Sequence, residues 1–162
     1  MNTEHVVNKL KKLKTNYLDT AKQMFTDGTA ELFDLHPKLD SFGFKAYSPY
    51  FNDGEECKFS IHADTDYGLY INGFDNDGEE APFESRENDA NVWDKHTHWD
   101  YSKGYENRVK VEGDPEIESM IQNVSKFINS FNNDIWQELI GNHVVVRISR
   151  DGIETNEFTQ HD

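Results

Sequence analysis

The apolar residues change their spacing near the start of the chain, and this change constrains the fold more than any other feature. From Glu4 to Phe33 they recur every three or four positions, which is typical of an amphipathic helix. Asp27-Gly28 is a candidate interruption, and His36-Pro37 predicts the end, because a residue before proline avoids the α region. After the proline the apolar residues recur at every second position. The chain therefore combines helix with β-sheet.

The alternating segment predicts three short strands, near 42–48, 56–62 and 67–72. Short links rich in Asn, Asp, Gly and Thr join them, so we expect an antiparallel meander. From Asp75 to about 106 no spacing is sustained, and we expect a long acidic excursion. Two further short strands are plausible, around 92–101 and 108–112.

The clearest single element is a helix predicted from Pro115 to about Ile140, along one apolar stripe. Asp114 can cap its N-terminus, and Pro115 suits the first helical position, where a missing N–H costs nothing. Gly141 stands where a left-handed residue is favoured after a helix.

The end of the chain predicts a hairpin. Strands are expected at 144–148 and 153–158, and Asp151-Gly152 between them is a strong turn signal. Together these elements predict an α+β fold: an antiparallel sheet of about five or six strands with two long amphipathic helices packed on one face. A length of 162 residues suits a single acidic domain, 1–162.

Composition excludes several classes of function. The chain has 31 Asp and Glu against 16 Lys and Arg, a net charge of −15. This excess excludes binding driven by attraction to nucleic-acid phosphates or to acidic membrane surfaces. The single cysteine, Cys57, excludes an internal disulfide and a multi-cysteine zinc site, and we expect it to be buried and inert. No stretch approaches the roughly 20 apolar residues of a membrane span, so we expect a cytoplasmic protein.

The negative charge is concentrated in the middle of the chain. Residues 52–100 contain fourteen acids and three bases, whereas residues 1–51 are nearly neutral. A field of one sign speeds encounter with an oppositely charged partner. We therefore expect a non-enzymatic protein that mimics DNA and occupies a basic, nucleic-acid-binding surface of one other protein, with no cofactor and no direct contact with nucleic acid. The alternative is that the charge only confers solubility.

The candidate partner-binding residues are acids of this middle region and two aromatic residues of the loop before it. They are Tyr50, Phe51, Asp53, Glu55, Glu56, Asp75, Asp77, Glu79, Glu80, Glu84, Glu87 and Asp89. The sequence Asn-Asp-Gly-Glu-Glu occurs at both 52–56 and 76–80. Neither copy places a ligand at the first position of an EF-hand calcium loop, so both predict turns.

An alternative site lies at 94–100. In a strand, Asp94, His96, His98 and Asp100 would share one face, and two imidazoles with two carboxylates can bind a divalent metal. This pattern supports a metal-dependent enzyme or sensor as the alternative function. No catalytic motif accompanies it, and the neighbouring tryptophans are better explained as core, so we expect no catalytic residue and no bound metal.

Segment 47–57, Tyr-Ser-Pro-Tyr-Phe-Asn-Asp-Gly-Glu-Glu-Cys, is the most distinctive in the chain. Its Asn-Asp-Gly predicts a turn between two strands. The segment resembles Tyr-Thr-Pro-Tyr-Phe-Asn-Asp-Gly-Asp-x-Cys in a group of uncharacterised bacterial and phage proteins, with Ser48 and Glu55 as differences. No activity is established for that group. The resemblance therefore implies only a phage or mobile-element source, and with the charge it favours an inhibitor of a host defence or transcription protein.

Overall fold

A computed structural model describes residues 3–49, 54, 56–84 and 91–158. Over these residues the fold is α+β, with three α-helices, a five-stranded antiparallel sheet and a separate two-stranded sheet. The helices are α1 (Thr3–Leu35), α2 (Pro115–Asn129) and α3 (Asn133–Ile140). The strands are β1 (Ser41–Tyr47), β2 (Ser60–His62), β3 (Tyr70–Ile71), β4 (His98–Asp100), β5 (Val109–Val111), β6 (Val144–Ser149) and β7 (Gly152–Glu157).

Helix α1 is continuous, so the predicted interruption at Asp27-Gly28 does not occur. Gly28 instead permits close packing of two helices, because a Cβ there would lie 2.6 Å from Cε2 of Phe127 in α2. Side chains of α1 are buried only from Ala21 onwards. Among the described residues, no helix combines the length and the apolar content needed to cross a bilayer.

Helix α2 begins as the sequence predicts. The carboxylate of Asp114 accepts a hydrogen bond from the N–H of Glu116 at 2.8 Å, and Pro115 occupies the first helical position. This cap satisfies one of the backbone donors that the start of a helix leaves free.

The single helix predicted over 115–140 is wrong, because the chain divides it into α2 and α3. The side chain of Asn132 accepts a hydrogen bond from the N–H of Ile135 at 3.0 Å and so caps α3. A capping Asn competes with a continuous helix for the same backbone groups. After the break, the indole of Trp136 packs edge-on against Phe44 of β1, with 5.0 Å between ring centroids. Among the described residues α1 is therefore the only long helix, so the expected pair of long helices packed on one face is not confirmed.

The main sheet has the order β2-β1-β6-β7, and β3 also pairs with β1. The predicted meander is therefore wrong, because β3 returns to β1 instead of pairing with β2. The chain turns tightly between β2 and β3, where the N–H groups of Tyr67 and Leu69 both donate to the carbonyl of Asp64. Strands β2 and β3 are also shorter than predicted. Residues 56–59 form no strand, which leaves Cys57 exposed rather than buried.

The hairpin at the end of the chain is confirmed. Strands β6 and β7 pair antiparallel, with Ser149 opposite Gly152, so Arg150-Asp151 is a two-residue loop. Gly152 has φ +122°, a conformation that favours glycine. Gly141, with φ +80°, likewise follows α3 as expected.

The core lies against alternate side chains of β1 and β6. Phe42 and Phe44 are opposite Ile148 and Val146, and all four are buried. Each helix contributes a ring to this set. The ring pairs are Phe33 of α1 with Phe42 at 5.8 Å, Phe127 of α2 with Phe42 at 6.1 Å, and Trp136 of α3 with Phe44.

Arg147 of β6 attaches residues 81–84 to the sheet. Its buried guanidinium donates from Nε to Glu154 at 2.9 Å and from Nη1 to the carbonyl of Glu84 at 3.1 Å. The same group lies 4.8 Å from the ring centroid of Phe83. Residues 81–84 are therefore held against β6 and β7.

Candidate functional site

An ordered turn at Phe74–Glu80, here called the acidic turn, carries four of the predicted contact residues. The carboxylate of Asp75 accepts hydrogen bonds from the N–H of Asp77 at 3.0 Å and of Glu79 at 2.9 Å. The N–H of Asp75 donates to the carbonyl of Glu79 at 3.0 Å. Asp75 therefore builds the turn, whereas Asp77, Glu79 and Glu80 are exposed.

Hydrogen bonds with Trp93 and Asp66 fix the acidic turn to other parts of the molecule, and a backbone hydrogen bond closes its base. Trp93 Nε1 donates to the carbonyl of Phe74 at 2.7 Å, and Asn76 Nδ2 donates to the carbonyl of Asp66 at 2.9 Å. The N–H of Ala81 donates to the carbonyl of Gly73 at 2.7 Å. The exposed acids are thus presented on an ordered backbone.

The exposed carboxylates of this region have no cationic partner among the described residues. None of the ion pairs between described residues includes Asp66, Asp77, Glu79 or Glu80. Elsewhere cations do pair with acids, as Arg150 does with Asp34 at 2.9 Å. These exposed carboxylates therefore carry charge that no ion pair within the described residues offsets.

A cleft of about 380 Å³ joins the acidic turn to the two-stranded sheet, and Asp66, Asp77, Asp94, His98 and Trp99 are among its lining residues. Strands β4 and β5 form that sheet, and we call residues 98–111 the aromatic hairpin.

The aromatic hairpin exposes a tryptophan that the sequence analysis assigned to the core. Trp99 is 47% exposed, although Trp93 is buried as predicted, and Tyr105 of the same hairpin is 72% exposed. The guanidinium of Arg108 lies 5.0 Å from the ring centroid of Trp99 and 4.8 Å from that of Tyr105. Trp99 is exposed because β4 pairs only with β5 and does not join the main sheet.

A second cleft, of about 510 Å³, also adjoins the acidic turn, and Asp77 lines both clefts. Tyr47 and His62 stack in it with 4.3 Å between ring centroids. Burial lowers the pKa of His62 and raises the pKa of Tyr70, so both side chains are uncharged at neutral pH. Lys45 is then the cation among its lining residues.

The remaining predicted contact residues are dispersed. Glu56 is exposed and pairs with Lys58 at 3.5 Å. Glu84 is exposed at the segment attached by Arg147. Six predicted positions lie outside the described residues: Tyr50, Phe51, Asp53, Glu55, Glu87 and Asp89.

The alternative metal site is not assembled. Over the described ranges, no three His, Cys, Asp or Glu side chains are grouped so as to hold a metal ion. Asp94 lies in a 3₁₀ turn, so the strand that was expected to align the four residues begins only at His98. The Nδ1 of His98 lies 2.8 Å from the carbonyl of His96, and Asp100 accepts the N–H of Ser102 at 2.9 Å.

His96 has a structural partner instead. Its Nδ1 lies 3.0 Å from Oε2 of Glu118 in α2, and Oε1 of Glu118 accepts the N–H of Thr97. Partial burial raises the pKa of Glu118, but the contacts with Thr97 and His96 outweigh it, so the pKa lies below its ordinary value. This carboxylate connects the start of the aromatic hairpin to α2.

Sequence reasoning missed two parts of this surface, the carboxylate of Asp66 and the aromatic hairpin. A turn signal at Asp64-Thr65-Asp66 marks the first, but its proximity to the acidic turn depends on the contact with Asn76. The exposed Trp, Tyr and Arg side chains of 98–111 have no local signature that separates them from core residues. No family model, curated protein or solved structure matches the chain.

Proposed function

We propose that this chain is a non-enzymatic binding protein whose acidic turn and aromatic hairpin occupy a basic, nucleic-acid-binding surface of another protein. One observation carries the proposal. The exposed carboxylates of Asp66, Asp77 and Glu79 stand on a hydrogen-bonded backbone without counterions from the described residues. Acids that are already ordered lose less conformational entropy on binding, so they can take the place of phosphates.

The aromatic hairpin supplies the apolar contact that charge alone lacks. Exposed Trp, Tyr and Arg side chains are enriched at the centres of protein interfaces, where they contribute most of the binding energy. Trp99 lines the cleft beside the acidic turn, and Arg108 stacks on it. In this arrangement the carboxylates speed association, and the rings slow dissociation.

Occupation of such a surface excludes nucleic acid from it, so the effect on the partner is inhibition. The resemblance of segment 47–57 to bacterial and phage proteins supports a search among host defence and transcription proteins, in the host cytoplasm.

The test compares two variants with the same change in net charge. The first carries Asp66→Asn, Asp77→Asn, Glu79→Gln and Glu80→Gln, and it leaves Asp75 in place because Asp75 builds the turn. The matched control carries Asp27→Asn, Glu31→Gln, Glu112→Gln and Glu157→Gln, at exposed positions on other elements. Each protein is immobilised and exposed to bacterial lysate at roughly 50 mM and roughly 500 mM NaCl, since salt screens exposed charges.

We expect wild type and control to retain the same protein at low salt and the first variant to lose it. The retained protein is then purified, and its binding to a labelled DNA duplex is measured by fluorescence anisotropy. Wild type should displace the duplex, and Trp99→Ala with Tyr105→Ala should weaken this displacement about tenfold or more. Equal retention by both charge variants, or a retained protein that binds DNA undisturbed, contradicts the proposal.

A further inference from the structure

The first part of α1 carries an apolar seam that stays largely exposed among the described residues. Val6, Leu10, Leu13, Tyr17 and Met24 follow an alternation of four and three residues, with Thr20 in the remaining place. These are the a and d positions of a heptad repeat. Leu10 is 60% exposed, Leu13 56% and Met24 62%.

The seam is held in a fixed position at its C-terminal end. Asn132 Nδ2 donates to the hydroxyl oxygen of Tyr17 at 3.3 Å, which connects α1 to the start of α3. Tyr17 and Leu18 also line a groove of about 710 Å³ together with Ile135 and Glu138 of α3. Residues 3–18, a helix about 24 Å long at the usual rise, bury no side chain.

The width of the seam favours a helix over a lipid surface. A stripe limited to a and d positions is the narrow contact of a coiled coil, whereas an interfacial helix presents a broad apolar face. The flanking e and g positions of the seam are largely polar or basic.

The charges at the positions that flank the seam determine which kind of partner helix it can bind. The flanking positions are Val7, Lys9, Lys14, Asn16, Ala21 and Gln23, which include no acid. A second copy in parallel register would bring Lys9 against Lys14 and supply no carboxylate to either. Like charges across an interface disfavour a pairing, so the same lysines that oppose a second copy favour an acidic partner.

We propose that this seam binds one amphipathic helix of a partner protein, with apolar residues at its own a and d positions and Asp or Glu at the flanking positions. The surface differs in sign and in location from the acidic turn. The chain can therefore contact two partners of opposite charge at the same time.

The test uses the full-length protein and two synthetic three-heptad peptides. Both have Ile at a and Leu at d, and they differ only in having Glu or Lys at every e and g position. Binding is measured by fluorescence anisotropy of the labelled peptide. We expect the Glu peptide to bind with a Kd of about 10 μM and the Lys peptide to bind about tenfold more weakly or not at all.

Two variants locate the binding. Leu10→Gln with Leu13→Gln should lose the Glu peptide, while Tyr105→Gln with Val109→Gln, equally exposed but on the aromatic hairpin, should keep it. Lys9→Glu with Lys14→Glu should reverse the preference between the peptides. Thermal melts by circular dichroism check that each variant remains folded.

Equal binding of both peptides, or unchanged binding by the Leu10 and Leu13 variant, overturns the proposal. A dimer in sedimentation velocity that the Leu10 and Leu13 substitutions abolish also overturns it, because the occupant is then a second copy. Binding to vesicles that contain anionic lipid, lost with the same substitutions, assigns the seam to a membrane surface and overturns it as well.

Discussion

The two parts of α1 share one helical repeat but differ in what covers them. From Ala21 to Phe33 the helix buries Phe25, Leu32 and Phe33 against the core, whereas Thr3–Leu18 buries no side chain. The exposed part carries four of the five lysines of the helix, and the buried part carries one, Lys22. Apolar spacing therefore predicts a helix and its apolar face, but it does not predict whether that face packs against this chain or against another.

The largest expected effect is the loss of unfolding free energy when a side chain in the buried part of α1 is truncated, compared with one in the exposed part. Phe33 is fully buried, with its ring 5.8 Å from Phe42, so Phe33→Ala removes both its apolar transfer energy and its packing. We expect it to lower the free energy of unfolding by about 3–5 kcal/mol. Leu13→Ala, on the exposed part, should change it by no more than about 0.5 kcal/mol. Urea unfolding measures both, and equal losses would show that the exposed part is packed in solution.

A second pair of substitutions tests the packing at Gly28. Because a Cβ there would lie 2.6 Å from the ring of Phe127, Gly28→Val should cost about 1–3 kcal/mol through overpacking. Ala30→Val, an exposed position two residues further along, should cost about 0.6 kcal/mol or less from helix propensity alone. Thermal melts of the two variants compare these costs. Equal melting temperatures would mean that α1 and α2 are not in close contact at Gly28.

His36, which directly follows α1, should make the free energy of unfolding depend on pH. Burial lowers the pKa of His36, an effect that Glu116 partly opposes, and His36 Nε2 lies 3.0 Å from Asn123 Nδ2. In the unfolded chain the imidazole takes up a proton at about pH 6.5, before the folded state does. The stability that the neutral imidazole of His36 contributes is therefore present above that pH, and it is lost as the pH falls through the lower folded pKa.

The measurement is the free energy of unfolding at pH 7.5 and at pH 5.5. His36→Gln should reduce the difference between the two values, and His5→Gln in the exposed part of α1 is the matched control. A pH dependence that survives His36→Gln undiminished would assign it to other groups, of which His62 is the first to test because burial lowers its pKa too.

The smallest expected effect lies at the boundary between the two parts. Tyr17→Phe removes the hydroxyl that accepts from Asn132 Nδ2, an exposed hydrogen bond, so stability should fall by about 0.5 kcal/mol or less. Amide hydrogen exchange should show faster exchange in the turns before Tyr17. Protection unchanged along the whole helix would mean that this bond does not anchor the exposed part.

Features that depend on a few neighbouring residues were predictable. The cap at Asp114, the loop at Arg150-Asp151 and the turn at 76–80 each follow from local hydrogen bonding and backbone preference, and the structure contains them. The break between α2 and α3 was missed although its signal, Asn132, is local, because the apolar stripe through it suggested one continuous helix.

Features that depend on distant contacts were not predictable. The pairing of β3 with β1, the exposure of Cys57 and the exposure of Trp99 all contradict expectation. Each depends on which segments meet after the chain folds, and the spacing of apolar residues contains no information on that choice. The four residues of the alternative metal site are not aligned for the same reason, because His96 contacts Glu118 in a helix distant in sequence.

By itself, the sequence determined the periods of the secondary structure, the caps and turns, and the segregation of acidic and basic residues along the chain. These properties follow from each residue's own backbone preference and charge. Only the tertiary structure decided that Asp66 and the aromatic hairpin join the acidic turn, and that the first part of α1 remains uncovered. Burial and surface contiguity arise from packing between segments far apart in sequence, and the packing energy depends on the whole set of contacts rather than on any one segment.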